Sequence, residues 1–265
     1  MNDGSIYTLS DEEGSEGNGY QPEGNSLFFA SSDKVEGPNV VMNDDGSDYC
    51  NLFVLNDKVP FVNTKVFIAK EVSYGRAESA YKWGSIIMPF ELTSDENIQY
   101  YTLKSVTDEQ MTFSPVDEVE ANTPAIYQVL GDGFDIYYQI PVEVKATGTG
   151  TASVQPISDW TMVGTYLAVP ALESGDGKFV YYIGNDQFWL ANSSVKVYPF
   201  RAWFETTNPI NAAKLRIAVD DEPEGIQTID EDKHQGEIIY DLMGRQQDWT
   251  RKGIVIKNGS VVFVK

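Results

Sequence analysis

One histidine, one cysteine and forty carboxylates are the raw material from which this 265-residue chain must build any chemistry. His234 lies in the charged run Asp230-Glu231-Asp232-Lys233-His234 and reads as a solvated loop residue. A single histidine cannot make a His-rich metal site, and any Ser-His-Asp relay would have to pass through it. No G-x-S-x-G elbow occurs. Gly148-Thr149-Gly150-Thr151 lacks the third glycine of a dinucleotide fingerprint, and Gly177-Lys178-Phe179 lacks the upstream glycine and the hydroxyl of a phosphate loop; both read as turns. Asn43-Asp44-Asp45-Gly46-Ser47-Asp48 clusters oxygen ligands, but with Gly46 at the sixth place of an EF-hand loop the end positions fall on Val41 and Leu52, which cannot ligate. The segment therefore reads as an acidic β-turn, with a weak irregular calcium site as the alternative. Two carboxylates from distant strands suffice for glycoside hydrolysis, yet in so acidic a chain accidental pairs are expected and composition singles out none. No catalytic residue, metal ligand or cofactor is expected, the ligand-binding residues are unassigned, and the chain is expected not to be an enzyme.

Cys50 cannot form an internal disulfide. It lies in Tyr49-Cys50-Asn51-Leu52-Phe53-Val54-Leu55, a strand-like run without nearby positive charge, so it is expected to be buried and unreactive. Trp83, Trp160, Trp189, Trp203 and Trp249 offer flat faces that can stack on sugar rings, although most lie in apolar runs where burial is expected.

The net charge of -21 opposes binding to nucleic acid or to an anionic membrane, because such contacts neutralise phosphates with Lys and Arg. No stretch approaches the ~20 apolar residues of a membrane helix, so no membrane insertion is expected. The segment Met1-Asn2-Asp3-Gly4-Ser5 lacks the basic and apolar regions of a signal peptide. That leaves either no export or a leader already removed.

The elements that would position any site are short strands. Lys65–Ala69, Gly84–Met88, Phe134–Ile140, Phe179–Ile183 and Val195–Tyr198 are rich in β-branched and aromatic residues. Asp132-Gly133, Gly148-Thr149-Gly150, Gly175-Asp176-Gly177 and Asn208-Pro209 punctuate them. The best helical candidate, Val116 to Val119, is shorter than an average helix and lies between prolines. The pattern predicts an all-β, antiparallel β-sandwich, jelly-roll-like or Ig-like, with a small C-terminal β-hairpin unit. Residues 1–26 form an acidic lead-in; residues 1–48 carry eleven Asp or Glu against one Lys, interrupted by a strand at Leu27–Ala30. The sandwich spans 27–222, an acidic linker 223–236, and the C-terminal unit 237–265. Within that unit Asn258-Gly259 separates two β-branched runs, the strongest short-range hairpin signal. It predicts that Ile254–Lys257 pairs with Ser260–Phe263 and that Ile238–Tyr240 joins them.

Ile239-Tyr240-Asp241-Leu242-Met243-Gly244-Arg245, followed by Lys252-Gly253-Ile254-Val255-Ile256-Lys257-Asn258-Gly259, resembles the C-terminal segment of many secreted and surface proteins of Gram-negative gut and oral bacteria. It is similar to the end of the sorting domain of type IX secretion, with Val255 where an aromatic is usual. A weaker resemblance runs from Cys50 to about Ile217 through Pro60-Phe61, Ser73-Tyr74, Trp83–Phe90, Asn122–Tyr127, Val163–Tyr166 and Val197–Phe204; it is similar to β modules of surface proteins of the same bacteria. The resemblance implies an exported protein of the cell surface or medium, a binding or adhesion role, and a glycan or protein ligand of unknown identity. A glycan hydrolase using two carboxylates and a structural spacer are the alternatives.

Overall fold

Buried and exposed side chains alternate along a strand that rests one face on a core. The segment Phe67–Gly75 shows this in two stretches: Phe67 and Ala69 are buried, alternating with exposed Ile68 and Lys70, then Val72 and Tyr74 are buried after the phase shifts by one residue at Glu71. In the computed structural model, residues 24–30, 37–44, 46–77, 80–154, 156–212 and 215–220 are described, together with the backbone of six further strands: Tyr7–Thr8, Gln227–Ile229, Ile239–Tyr240, Gln246–Gln247, Gly253–Lys257 and Ser260–Val264. The chain is all-β, and no helix occurs among the described residues. None, therefore, is long and apolar enough to cross a membrane. The helical candidate at Val116 to Val119 is instead the end of the strand Gln110–Val116 and the short strand Glu118–Val119. The chain divides into two compact units, Met1–Val219 and Asp220–Lys265.

The first unit is built from three large sheets. In the first, Ser47–Asn56 pairs antiparallel with Val40–Asp44 and in parallel with Phe67–Gly75, which also takes Asp135–Tyr138 and Val142–Val144 at its other side. The second runs in the order Arg216–Val219, Gln110–Val116, Ile98–Val106, Ala125–Val129, Trp83–Ile86. The third runs Thr151–Ser153, Thr161–Thr165, Arg201–Thr206, Phe179–Gly184, Gln187–Leu190. Most pairs are antiparallel, as the short strands and tight turns require. Ser47–Asn56 with Phe67–Gly75 and Arg216–Val219 with Gln110–Val116 are parallel, which makes the first two sheets mixed.

The second sheet is the middle layer. Adjacent residues point to opposite faces, and here both faces are buried. Tyr100, Ala125 and Tyr127 join Phe53, Leu55, Val72 and Tyr74 of the first sheet in one core. Their neighbours Tyr101 and Ile126, with Phe113, join Met162, Tyr181, Phe188 and Phe204 of the third sheet in another. This explains why Tyr100-Tyr101 and Ala125-Ile126-Tyr127 are buried at consecutive positions rather than in clean alternation. A small pair, Val169–Leu172 with Val195–Val197, covers part of the outer face of the third sheet around Val180 and Trp203.

In the second unit, Gly253–Lys257 and Ser260–Val264 pair antiparallel in the register Lys257↔Ser260, and Ile239–Tyr240 joins through Tyr240↔Ile256. That is the hairpin and the third strand expected from Asn258-Gly259. The strand Gln227–Ile229, inside the segment expected to be linker, pairs in parallel with Ser260–Val264.

Candidate functional site

The turn motifs behave as turns. Asp176 and Gly177 have φ of 52° and 77° between the bridged residues Gly175 and Lys178, a left-handed pair typical of a two-residue hairpin turn. Gly150 closes its turn with its N–H on the Thr147 carbonyl at 3.0 Å. In the acidic segment, Asn43 donates from Nδ2 to Asp48 Oδ1 at 2.6 Å across the hairpin of Val40–Asp44 and Ser47–Asn56. Asp45 lies outside the described residues, as do His234 and Trp249. Cys50 is fully buried, its Sγ faces the Leu52 carbonyl at 3.2 Å, and burial pushes its thiol up to about 12.

A charged cluster that local sequence did not single out lies where the three sheets meet. The buried alternation Val72, Tyr74 runs one step beyond its strand to Arg76, whose side chain is only 6% exposed. Its guanidinium donates to Tyr74 Oη (2.8 Å), Tyr127 Oη (2.8 Å), the Ser85 carbonyl (3.0 Å) and the Phe200 carbonyl (2.6 Å), and it lies 4.8 Å from the Phe134 ring centroid. Arg201 grips Asp57 with Nη1 at 2.8 Å and Nη2 at 3.1 Å, and Tyr74 donates to the same carboxylate at 2.9 Å. Burial would raise the Asp57 carboxyl, but the Arg201 hydrogen bonds and the charges of Arg201 and Arg76 outweigh it and hold it below its usual value. Phe200, whose carbonyl completes the set, has φ of 62°, a strained conformation for a bulky residue. All three guanidinium nitrogens of Arg76 thus donate to protein atoms, two of the acceptors lying in the second sheet, one in the first, and one at Phe200, beside the third. The cluster ties the layers to one another, and none of its charged side chains lines either open depression.

Two open depressions among the described residues offer room for a ligand. One, of about 760 Å³, is lined by the carboxylates Glu91, Asp95, Glu120 and Glu143, with Tyr137 and Ile140 exposed beside them. Lys145 pairs with Glu143 at its edge.

The other, of about 1200 Å³, runs beside the outermost strand of the third sheet, Gln187–Leu190, and is lined in part by Trp83, Gln128, Tyr182, Trp189 and Asn192. Its shape follows from a tight hairpin. Asn185 and Asp186 both take left-handed φ, 54° and 59°, between the paired residues Gly184 and Gln187. Alternation then turns Phe188 into the core and Trp189 outward, 44% exposed and directly opposite Tyr182. The indole is not loose: Nε1 donates to the Gly184 carbonyl at 2.8 Å. Asp186 anchors the hairpin tip, its Oδ1 accepting the N–H of Lys82 (2.8 Å) and of Trp83 (2.7 Å). Of the other tryptophans, Trp160 and Trp203 are buried and Trp83 is half-buried against Tyr101, ring centroids 5.1 Å apart. Comparison with family models, with curated proteins and with solved structures finds no match to the chain.

Proposed function

We propose that the chain is an exported, non-catalytic binding module of a bacterial surface or secreted protein, and that it meets its ligand in the trough beside Gln187–Leu190. Trp189 carries the reading. A large aromatic left in water forgoes hydrophobic stabilisation, and this one is also held in one orientation by its Nε1 hydrogen bond. A rigid, exposed ring beside Tyr182, in a depression that Trp83 also lines, is a preorganised platform, which lowers the entropy lost on binding. Flat aromatic faces of this kind suit the apolar faces of sugar rings. Export is supported by the resemblance of the C-terminal segment to sorting segments and by its own separate sheet.

A glycan array probed with the whole chain and with Trp189→Ala tests the reading. Bound glycans that are lost in the variant support it; identical hits from both proteins refute it. Deleting residues 237–265 is expected to impair delivery or anchoring while the first unit keeps its unfolding midpoint. Collapse of the first unit on that deletion would contradict a separable sorting segment.

A second reading, glycan hydrolysis, rests on the acidic depression, where Glu91, Asp95, Glu120 and Glu143 supply the carboxyl pairs such chemistry needs. Release of reducing sugar that disappears in Glu91→Gln or Glu120→Gln would replace the binding module with an enzyme.

A further inference from the structure

We infer that the trough takes a carboxylated glycan, of uronic- or sialic-acid type, with Trp189 stacking on a ring and Arg216 and Lys82 receiving the carboxylates; this rests on the trough being the binding site. The charged side chains lining it are two cations, Lys82 and Arg216, and one carboxylate, Asp186. In a chain of net charge -21 this is a local reversal of sign. The one carboxylate is occupied, since Asp186 Oδ1 already accepts two backbone N–H groups. The cations are not neutralised in turn. Lys82 Nζ, among the described residues, reaches a neutral acceptor, the Gly131 carbonyl at 3.2 Å, and no carboxylate. Among the described residues the exposed Arg216 side chain has no hydrogen-bond or ion-pair partner.

An unpaired guanidinium is a planar fork that matches a carboxylate with two parallel hydrogen bonds. At physiological salt charges are screened beyond about 8 Å, so the cations within the trough outweigh the distant acids for a short ligand that stays inside it. A long polyanion such as nucleic acid must also cross the acidic surface and is repelled there. The lining amides of Gln128, Gln187 and Asn192 provide both donors and acceptors for sugar hydroxyls. The volume of about 1200 Å³ exceeds the usual range of small-ligand sites and suits an oligosaccharide rather than a single sugar.

The test is calorimetric titration of the whole chain with oligogalacturonate, an alginate oligomer, a hyaluronan oligomer and sialyllactose, each beside its carboxyl-methylated ester. At least one acid is expected to bind, about tenfold or more tighter than its ester, the size of one charge-assisted contact. Arg216→Gln should remove that preference, and Trp189→Ala should abolish binding of both forms. An ester that binds as well as its acid, with Trp189→Ala still abolishing binding, overturns the carboxylate inference and leaves the trough standing. Binding unaffected by Trp189→Ala overturns the trough itself. No binding by any of the four acids overturns the carboxylate inference.

Discussion

Arg76 and Arg216 carry the same side chain into opposite situations. Arg76 is buried, lies where the three sheets meet and spends its donors on Tyr74, Tyr127 and two backbone carbonyls. Arg216 lines an open trough, and among the described residues its side chain has no hydrogen-bond or ion-pair partner. The tryptophans divide the same way, with Trp160 and Trp203 inside the packing and Trp189 held at the surface. A closed polar network determines how layers fit together; an open and rigid one is available to a ligand. The difference between the two is completeness of hydrogen bonding, not residue type.

The sharpest way to break this contrast is Asp57→Ala. Removing the carboxylate leaves the buried Arg76 and the partly buried Arg201 without their counter-charge, and breaking a buried pair from one side costs about 3–5 kcal/mol. Denaturant unfolding should show a fall of that order with ligand affinity unchanged. A loss under about 1 kcal/mol would mean the cluster does not tie the sheets.

The same carboxylate makes stability depend on acid. Because the folded Asp57 carboxyl is held below its ordinary value, its contribution is complete above the unfolded carboxyl at about 3.9. It is lost as the pH falls through the lower folded value. Unfolding measured between pH 2 and 7 should show this acid arm, and Asp57→Asn should flatten it. An unchanged arm in the variant would assign the acid sensitivity to other groups.

Asp186→Ala is expected to cost about 1–2 kcal/mol, since it orphans the Lys82 and Trp83 N–H groups that now donate to Oδ1. Ligand affinity should fall with it, because the hairpin tip loses its anchor; affinity that holds while stability falls would separate the tip from the site. Trp189→Ala should change stability least, within about 1 kcal/mol, and binding most. A variant that unfolds readily would show that Trp189 belongs to the packing after all.

Much of the fold was legible in the residues. Asn258-Gly259 between β-branched runs pointed to the register that Lys257↔Ser260 displays, and the runs around Phe67, Phe179 and Val195 are strands. The stacking of three sheets was not legible, because strands buried on both faces lose the alternation that tells one face from the other. Arg76 was missed as well, although it continues the buried series Val72, Tyr74 beyond Gly75, and a charge falling on a core face signals a paired network. Trp189 was named only among five tryptophans. The signal that separates it is local: Asn185-Asp186 accommodates a left-handed turn, and the alternating strand that follows must send either Phe188 or Trp189 outward. Which one faces the core depends on register with Phe179–Gly184, a tertiary fact.

The most direct test of the trough as the recognition surface is hydroxyl-radical footprinting read by mass spectrometry, with and without a glycan found to bind. Trp189 should be labelled in the free chain and protected in the complex. Tyr137, exposed in the acidic depression, should label equally in both, and Trp160 and Trp203 should remain unlabelled throughout. Protection of Tyr137 with Trp189 unchanged would place the ligand in the other depression and contradict the account.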